Sequence, residues 1–402
     1  MRVSIINNLL HAYIRIFVNN YNVDADTRSL YIHWPFCPYR CHFCPFVAFV
    51  GQDDLMETYH NTLMKEIKDF AAKSPKKLTI ETVYIGGGTP STWPDKLLLD
   101  MSGILRDTFD MENLSEMTLE ANPGTVNPEQ IAVWKKAGIN RVSIGVQSLN
   151  DGVLRRLNRH QKASDVRNLL NWTGGEIETV SVDVIIGLPG VTDSEWKEMI
   201  EELITWPIKH VSMYFLSIHE NTPLYTRISK NEFVLPEDDA VVDLYYWTVE
   251  KFAEHGFEQY EVSSFAKRGH ESLHNQVYWE RKPYKGFGVG ACSFDGKLRF
   301  ENRKNLERYC RSPETKEPIV VVAESLSQEQ IRLERLMLGL RRRSGVKVKD
   351  IIEGMKTQEE EKFLSAVKEL EEKSFLFSDS ERIYLSKMSL AIENEIAIRL
   401  LK

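Results

Sequence analysis

The chain contains no uninterrupted apolar run near the roughly 18–20 residues that a bilayer-spanning helix requires, so a membrane-embedded protein is not expected. It has no positive excess either. The formal charge is -7, with 51 basic against 58 acidic side chains, which argues against nucleic acid as the main partner because phosphate backbones select basic faces. Low-complexity tracts are absent, and at 42% hydrophobic and 27% charged residues the composition is globular, not disordered. Cysteine is scarce and odd in number, five in 402 residues, three clustered and two (Cys292 and Cys310) far away. That is no disulfide framework; it predicts a reducing, cytoplasmic compartment. Four hundred residues suffice for two or three domains.

What is present centres on one stretch, Tyr31-Ile-His-Trp-Pro-Phe-Cys37-Pro-Tyr-Arg-Cys41-His-Phe-Cys44, a CxxxCxxC pattern. A closed zinc site takes four protein ligands, one more than this loop supplies. Three thiolates can instead hold three corners of a [4Fe–4S] cube and leave its fourth iron open. The bland alternative is three reduced thiols in a turn-rich loop.

From residue 30 to about 220, short apolar runs alternate with amphipathic segments. Strands are expected at 30–34, 82–85, 116–120, 141–146, 180–186 and 210–218, and helices at 53–72, 95–109, from Asn127 and from Asp193. Alternation of this kind predicts parallel βα units with right-handed crossovers. Residues 237–255 are expected to form a helix and 257–300 irregular strands and loops. From 327 the pattern is helical, with a hairpin at 376–385. The residues before 30 suggest an amphipathic lead-in helix or a peripheral membrane contact, and a signal peptide is not expected.

Polar residues recur where strands end. Gly86-Gly87-Gly88-Thr89-Pro90 follows the second strand, and glycines there allow close backbone approach to a ligand or a tight turn. Glu120 ends the third strand; a carboxylate there can accept from vicinal hydroxyls or pair with a surface lysine. Gln147 ends the fourth, Arg159 follows it, and Asp183 sits in an apolar run where it is costly to bury unpaired.

Taken together, these motifs resemble the radical S-adenosylmethionine (SAM) superfamily. The flanking Tyr-Ile-His-Trp-Pro-Phe-Cys resembles its oxygen-independent coproporphyrinogen oxidase group, over about residues 30–345. The resemblance implies an open (βα)6 partial barrel at 30–236, preceded by an extension at 1–29. An added segment at 237–326 and a mostly α, winged-helix-like domain at 327–402 follow. It implies a [4Fe–4S] cluster on Cys37, Cys41 and Cys44, and SAM held by Tyr31, Gly87, Gly88, Thr89, Glu120, Gln147, Arg159 and Asp183.

Within the group, His274-Asn275-Gln-Val-Tyr278-Trp279 is similar to the HNxxYW signature of the HemW branch, which implies a haem chaperone that serves apo-haemoproteins and makes His274 a candidate haem ligand. The bland alternative is a core histidine bonded to backbone. Phe46 stands where the oxidase branch has a fourth cysteine, and Cys292 where the group usually has histidine. Tyr214-Phe215 and His219 depart from the usual Tyr-Gln and Glu. The enzyme alternatives are coproporphyrinogen III oxidation and another radical reaction on a tetrapyrrole. The sequence carries no signal for an oligomeric state.

Overall fold

A computed structural model describes residues 26–401; the lead-in segment and its expected membrane contact lie outside the described residues, except for the last few positions of 1–29. Six strands form the parallel centre of the molecule: β1 (Ser29–Trp34), β2 (Thr82–Gly87), β3 (Glu116–Ala121), β4 (Arg141–Gln147), β5 (Thr179–Ile186) and β6 (His210–Phe215). Each pairs in parallel with the next in sequence order. The sixth strand stops at Phe215, three residues short of the expected end.

A strict alternation explains why these runs become strands of a barrel wall. Leu30, Ile32 and Trp34, Val83 and Ile85, Met117 and Leu119, Val142, Ile144 and Val146, and Val180, Val182 and Val184 are buried toward the helices. The intervening positions are polar: Tyr31 and His33, Thr82 and Tyr84, Glu116, Thr118 and Glu120, Arg141 and Ser143, Ser181 and Asp183. Side chains alternate with period 2 along a strand, so all the latter face one lumen. Burial of a side chain such as Ile85 or Leu119 contributes about 1.5–3 kcal/mol.

The helices are delimited by their caps. Asn127 and Gln130 form a reciprocal capping box, Pro128 takes the first helical position, and Gly138 closes Pro128–Ala137 at φ 92°. Thr192 and Glu195 cap Asp193–Leu203 in the same way.

Residues 257–300 are more ordered than expected. β8 (Ser264–Ala266) adds antiparallel to β6, β7 (Glu258–Gln259) adds antiparallel to β8, and β9 (Lys285–Phe287) adds parallel to β1. The sheet therefore has nine strands, in the order β7-β8-β6-β5-β4-β3-β2-β1-β9, and stays open. β10 (Cys292–Phe294), β11 (Leu298–Asn302) and β12 (Val320–Ser325) make a second, antiparallel sheet.

The last part is mostly helical. Gln328–Leu340, Thr357–Glu372 and Glu393–Leu400 pack around a three-stranded sheet of β13 (Val346–Lys347), β15 (Arg382–Leu385) and β14 (Leu376–Ser378). The expected hairpin is β14–β15, with Asp379 Oδ1 accepting from the amides of Glu381 and Arg382. Leu336, Leu340, Phe363, Leu376 and Ile383 give this module a core of its own. Among the described residues no helix is long and apolar enough to cross a membrane.

Candidate functional site

The cysteine loop leaves β1 at its carboxyl end and folds back on itself. Cys37 N donates to Phe49 O at 2.9 Å and Phe49 N to Pro35 O at 2.8 Å. His42 N donates to Leu157 O at 2.9 Å, and Asn158 Nδ2 to Arg40 O at 2.9 Å, so the turn after β4 holds the loop's outer limb. Below it, Trp34 stacks on Trp93 at 4.3 Å and 14°, a contact worth about 0.5–1.5 kcal/mol beyond its area.

The glycine run seats this loop. A Cβ on Gly87, which has φ +122°, would come within 2.6 Å of the His33 ring, and one on Gly88 within 2.8 Å of the Pro35 and Phe36 carbonyls. The amides of Gly88 and Thr89 donate to Trp34 O and Phe36 O at 2.7 and 2.9 Å. The close backbone approach expected for a ligand is thus made first to the cysteine loop itself.

A cavity of about 430 Å³ opens between the loop and the strand ends. Cys37, Cys41 and Cys44 stand on one wall; Gly87, Gly88, Thr89, Glu120, Gln147, Arg159 and Asp183 line the rest. Among the described residues no three His, Cys, Asp or Glu side chains close on a single metal ion. A cubane takes one thiolate per iron, so its ligands need not converge on a point, and a three-thiolate wall fits it where a zinc site would not.

Thr89 Oγ1 lies 2.9 Å from Cys37 Sγ, and Arg159 Nη1 donates to Cys41 Sγ at 3.5 Å. Burial pushes the free Cys37 thiol up to about 11, opposed in part by the Thr89 hydrogen bond. Arg159 is buried and aimed by two further contacts, Nη2 to Gly145 O and Nε to Gln161 Oε1 at 2.9 Å, and Gln161 is itself held by Nε2 to Val146 O at 2.7 Å. Gln147 takes φ +64°, beside a register shift in β4–β5 pairing, and this irregularity turns the strand end toward the cavity.

Glu120 accepts from Tyr84 Oη at 2.8 Å and from Gly87 N at 3.0 Å. Burial, with nearby Asp183, pushes its carboxyl up to about 7. Asp183 accepts from Ser143 Oγ at 3.1 Å, and burial raises its pKa too. The cavity thus offers carboxylates and an amide together with three thiols and a guanidinium beside one of them, a donor set for a small zwitterion bearing hydroxyls. Sequence reasoning passed over Tyr84, Ser143 and Gln161; strand alternation would have placed the first two in the lumen.

Tyr31 does not line this cavity. Its hydroxyl is 2.9 Å from His33 Nδ1, whose Nε2 donates to Val47 O at 2.9 Å, and Tyr31 faces a neighbouring cavity of about 380 Å³.

His274, the candidate haem ligand, is not brought to either cavity, and its setting is that of the alternative reading, a core histidine. The residue is fully buried. Thr82 Oγ1 gives its proton to Ser29 and so accepts from Nδ1 at 2.8 Å, while Nε2 accepts from Tyr278 Oη at 2.8 Å. Burial lowers the His274 pKa to about 3. Both ring nitrogens are used, at the amino-terminal end of β2, away from the cysteine loop.

The stretch 260–274 plugs that end, while Tyr278 beyond it reaches the second cavity. Glu116 accepts from the amides of Leu273 and His274 at 2.8 and 3.2 Å, Arg141 donates to His270 O at 3.2 Å, Thr179 meets His270 Nδ1 at 2.8 Å, and His210 meets Tyr260 Oη at 2.8 Å. Trp279 lies under Arg341, 4.3 Å from its ring centroid, which ties the plug to the C-terminal module.

The chain is similar to known proteins in sequence and in fold. A sequence model of the Radical SAM superfamily matches residues 31–203. The chain is 34% identical over 376 residues to a Bacillus subtilis protein named heme chaperone HemW, covering 92% of this chain and 98% of the relative. It is 30% identical over 369 residues to the Lactococcus lactis protein of the same name, covering 92% and 96%. A zebrafish protein, radical S-adenosyl methionine domain-containing protein 1, mitochondrial, is 32% identical over 341 residues, covering 80% and 74%. Among solved structures, coproporphyrinogen III oxidase (HemN) from Escherichia coli superposes with a TM-score of 0.82 at 19% identity, covering 96% of this chain and 93% of that one, a likeness of fold.

Proposed function

The chain belongs to the radical SAM superfamily, in the group that contains the HemW proteins, and from that premise we propose that it is a haem chaperone, binding haem and delivering it to apo-haemoproteins. The observation that carries the reading is identity of about one third over nearly the full length of proteins bearing that name. Position 46 supports it: the residue two after Cys44 is Phe46, 64% exposed, where the oxidase resemblance would want a fourth thiol.

Membership in the superfamily implies a [4Fe–4S] cluster and SAM. Cys37, Cys41 and Cys44 are the residues that would hold the cluster, and the cluster would supply an iron open to the amino and carboxylate groups of SAM. Arg159 sets a positive charge beside Cys41 and offsets the negative charge that three thiolates would bring into a buried wall. Glu120 keeps lone pairs for two ribose hydroxyls while Tyr84 and Gly87 hold it in place. Gln147 and Asp183 complete the polar side of the cavity, opposite the thiols.

The experiment offers the anaerobic, cluster-loaded protein two tasks in parallel. With SAM, a reductant and coproporphyrinogen III, we expect no loss of CO2. With ferric haem and an apo-haemoprotein, we expect haem to appear in the acceptor faster than from free haem. Decarboxylation, or no gain in transfer rate, sinks the reading in favour of a radical enzyme on a tetrapyrrole.

A further inference from the structure

The second cavity, lined in part by Pro45, Phe46 and Val47, lies beside the cysteine loop. It shares Pro45, Phe46, Gly87 and Glu120 with the larger cavity, so the two have a common wall. Three glycines bring its far side this close. A Cβ on Gly286 would strike the Cys292 carbonyl, one on Gly288 the Tyr59 hydroxyl, and Gly290, at φ +68°, packs against Val47 of the cysteine loop.

Its walls are aromatic. Tyr31 stacks toward Tyr84 at 6.2 Å, Tyr278 meets Tyr284 edge-on at 4.7 Å, and Phe46 stands exposed at the mouth. Flat faces of this kind suit a macrocycle. Lys304, mostly exposed and paired with Glu301, puts an ammonium at the opening, where a propionate can compete for it.

Few side chains here can reach iron. His33 has both ring nitrogens engaged, and the hydroxyls of Tyr31 and Tyr278 are bonded to His33 and His274. Burial pushes the Tyr284 phenol up to about 12, and burial with nearby Glu301 raises the Cys292 thiol as well, from a lower starting value. Cys292 opens β10 opposite Glu301 with its thiol exposed to the cavity, whereas its neighbour Ser293 turns inward to Gly286 N at 3.0 Å. Thiolate is an established axial ligand of haem iron.

We propose that this second cavity is the haem site and that Cys292 supplies the axial ligand to the iron. The assignment rests on the chaperone reading and says where on the chain the haem is carried. On binding, an iron–sulfur bond forms, the S–H bond breaks and its proton leaves to solvent; no electron changes owner. The macrocycle lies between the tyrosines and Phe46, with a propionate at Lys304, and shares the Glu120 wall with SAM.

The test titrates ferric haem into the full-length, cluster-loaded protein without oxygen, for wild type, Cys292→Ser, Cys292→His and Tyr284→Phe, read by Soret absorbance and by the resonance Raman iron–sulfur stretch of the haem. Wild type is expected to bind one haem with a thiolate signature. Cys292→Ser loses that signature and at least about tenfold in affinity. Cys292→His regains affinity with an imidazole-type spectrum, which shows that the site still folds, and Tyr284→Phe keeps the thiolate signature whatever it does to affinity. One haem bound with affinity and spectrum unchanged by Cys292→Ser overturns the site and leaves the chaperone reading standing, as does a signature that depends on Tyr284. Absence of haem binding by wild type overturns both.

Discussion

The lumen of the barrel has two polar ends, each with a glutamate from β3. At the amino-terminal end, Thr82, Glu116, Arg141, Thr179 and His210, the first residues of five successive strands, each meet a partner from the 260–274 stretch. At the carboxyl end, Gly87, Glu120 and Gln147, with Asp183 one turn of the pleat lower, line an open cavity opposite three thiols. The lower set is closed by protein; the upper keeps its hydrogen-bonding capacity for a ligand, as parallel barrels do. A buried histidine or glutamate therefore takes its meaning from which strand end it reaches, and residue type alone does not tell.

The largest expected effect lies at the upper end. Cys37→Ala, Cys41→Ala or Cys44→Ala should reduce bound iron from about four per chain to near zero after anaerobic reconstitution, with far-UV circular dichroism unchanged. Retention of iron by any of them would remove that cysteine from the ligand set.

The lower end should answer in stability instead. His274→Ala leaves the Thr82 and Tyr278 hydroxyls without their buried partner and should cost about 2–4 kcal/mol in denaturant unfolding, with iron content unchanged. The histidine also sets an acid slope. Its folded pKa, about 3, lies below the unfolded value near 6.5, so the unfolded chain takes up a proton that the folded one refuses. Wild-type stability should be full above about pH 6.5 and fall as pH drops toward 3, and His274→Asn should flatten this dependence.

Glu120→Gln should weaken SAM binding about tenfold, or 1.4 kcal/mol, with little change in stability. The wild-type carboxyl loses its proton near pH 7, so SAM affinity should rise as pH passes upward through 7 and stay level in the variant. A pH-independent wild type would detach Glu120 from the ligand. The smallest effect is reserved for the lower rim: Arg28 and Glu81 pair at 2.9 Å, both about half exposed, and Arg28→Ala should change stability by under about 1 kcal/mol.

How much of this was legible in the sequence follows the same division. The six parallel strands could be read because Leu30–Ile32, Val83–Ile85 and their equivalents alternate with polar residues, a local signal. The cysteine triad and the glycine run could be read because their chemistry lies within a few residues. β7, β8 and β9 escaped because strands of two or three residues carry no period, and only the edge of the finished sheet recruits them. The setting of His274 could not be read because its partners, Thr82 and Glu116, lie more than 150 residues away. The setting of Arg159 by Gln161 and Gly145 likewise needs the folded turn.

The most direct test of the contrast between the two ends is haem uptake by cluster-loaded His274→Ala, held at low temperature where it stays folded. The account predicts wild-type stoichiometry and an unshifted Soret band despite the lowered stability. A folded, iron-replete variant that no longer takes up haem would contradict it and make the lower end a binding site after all.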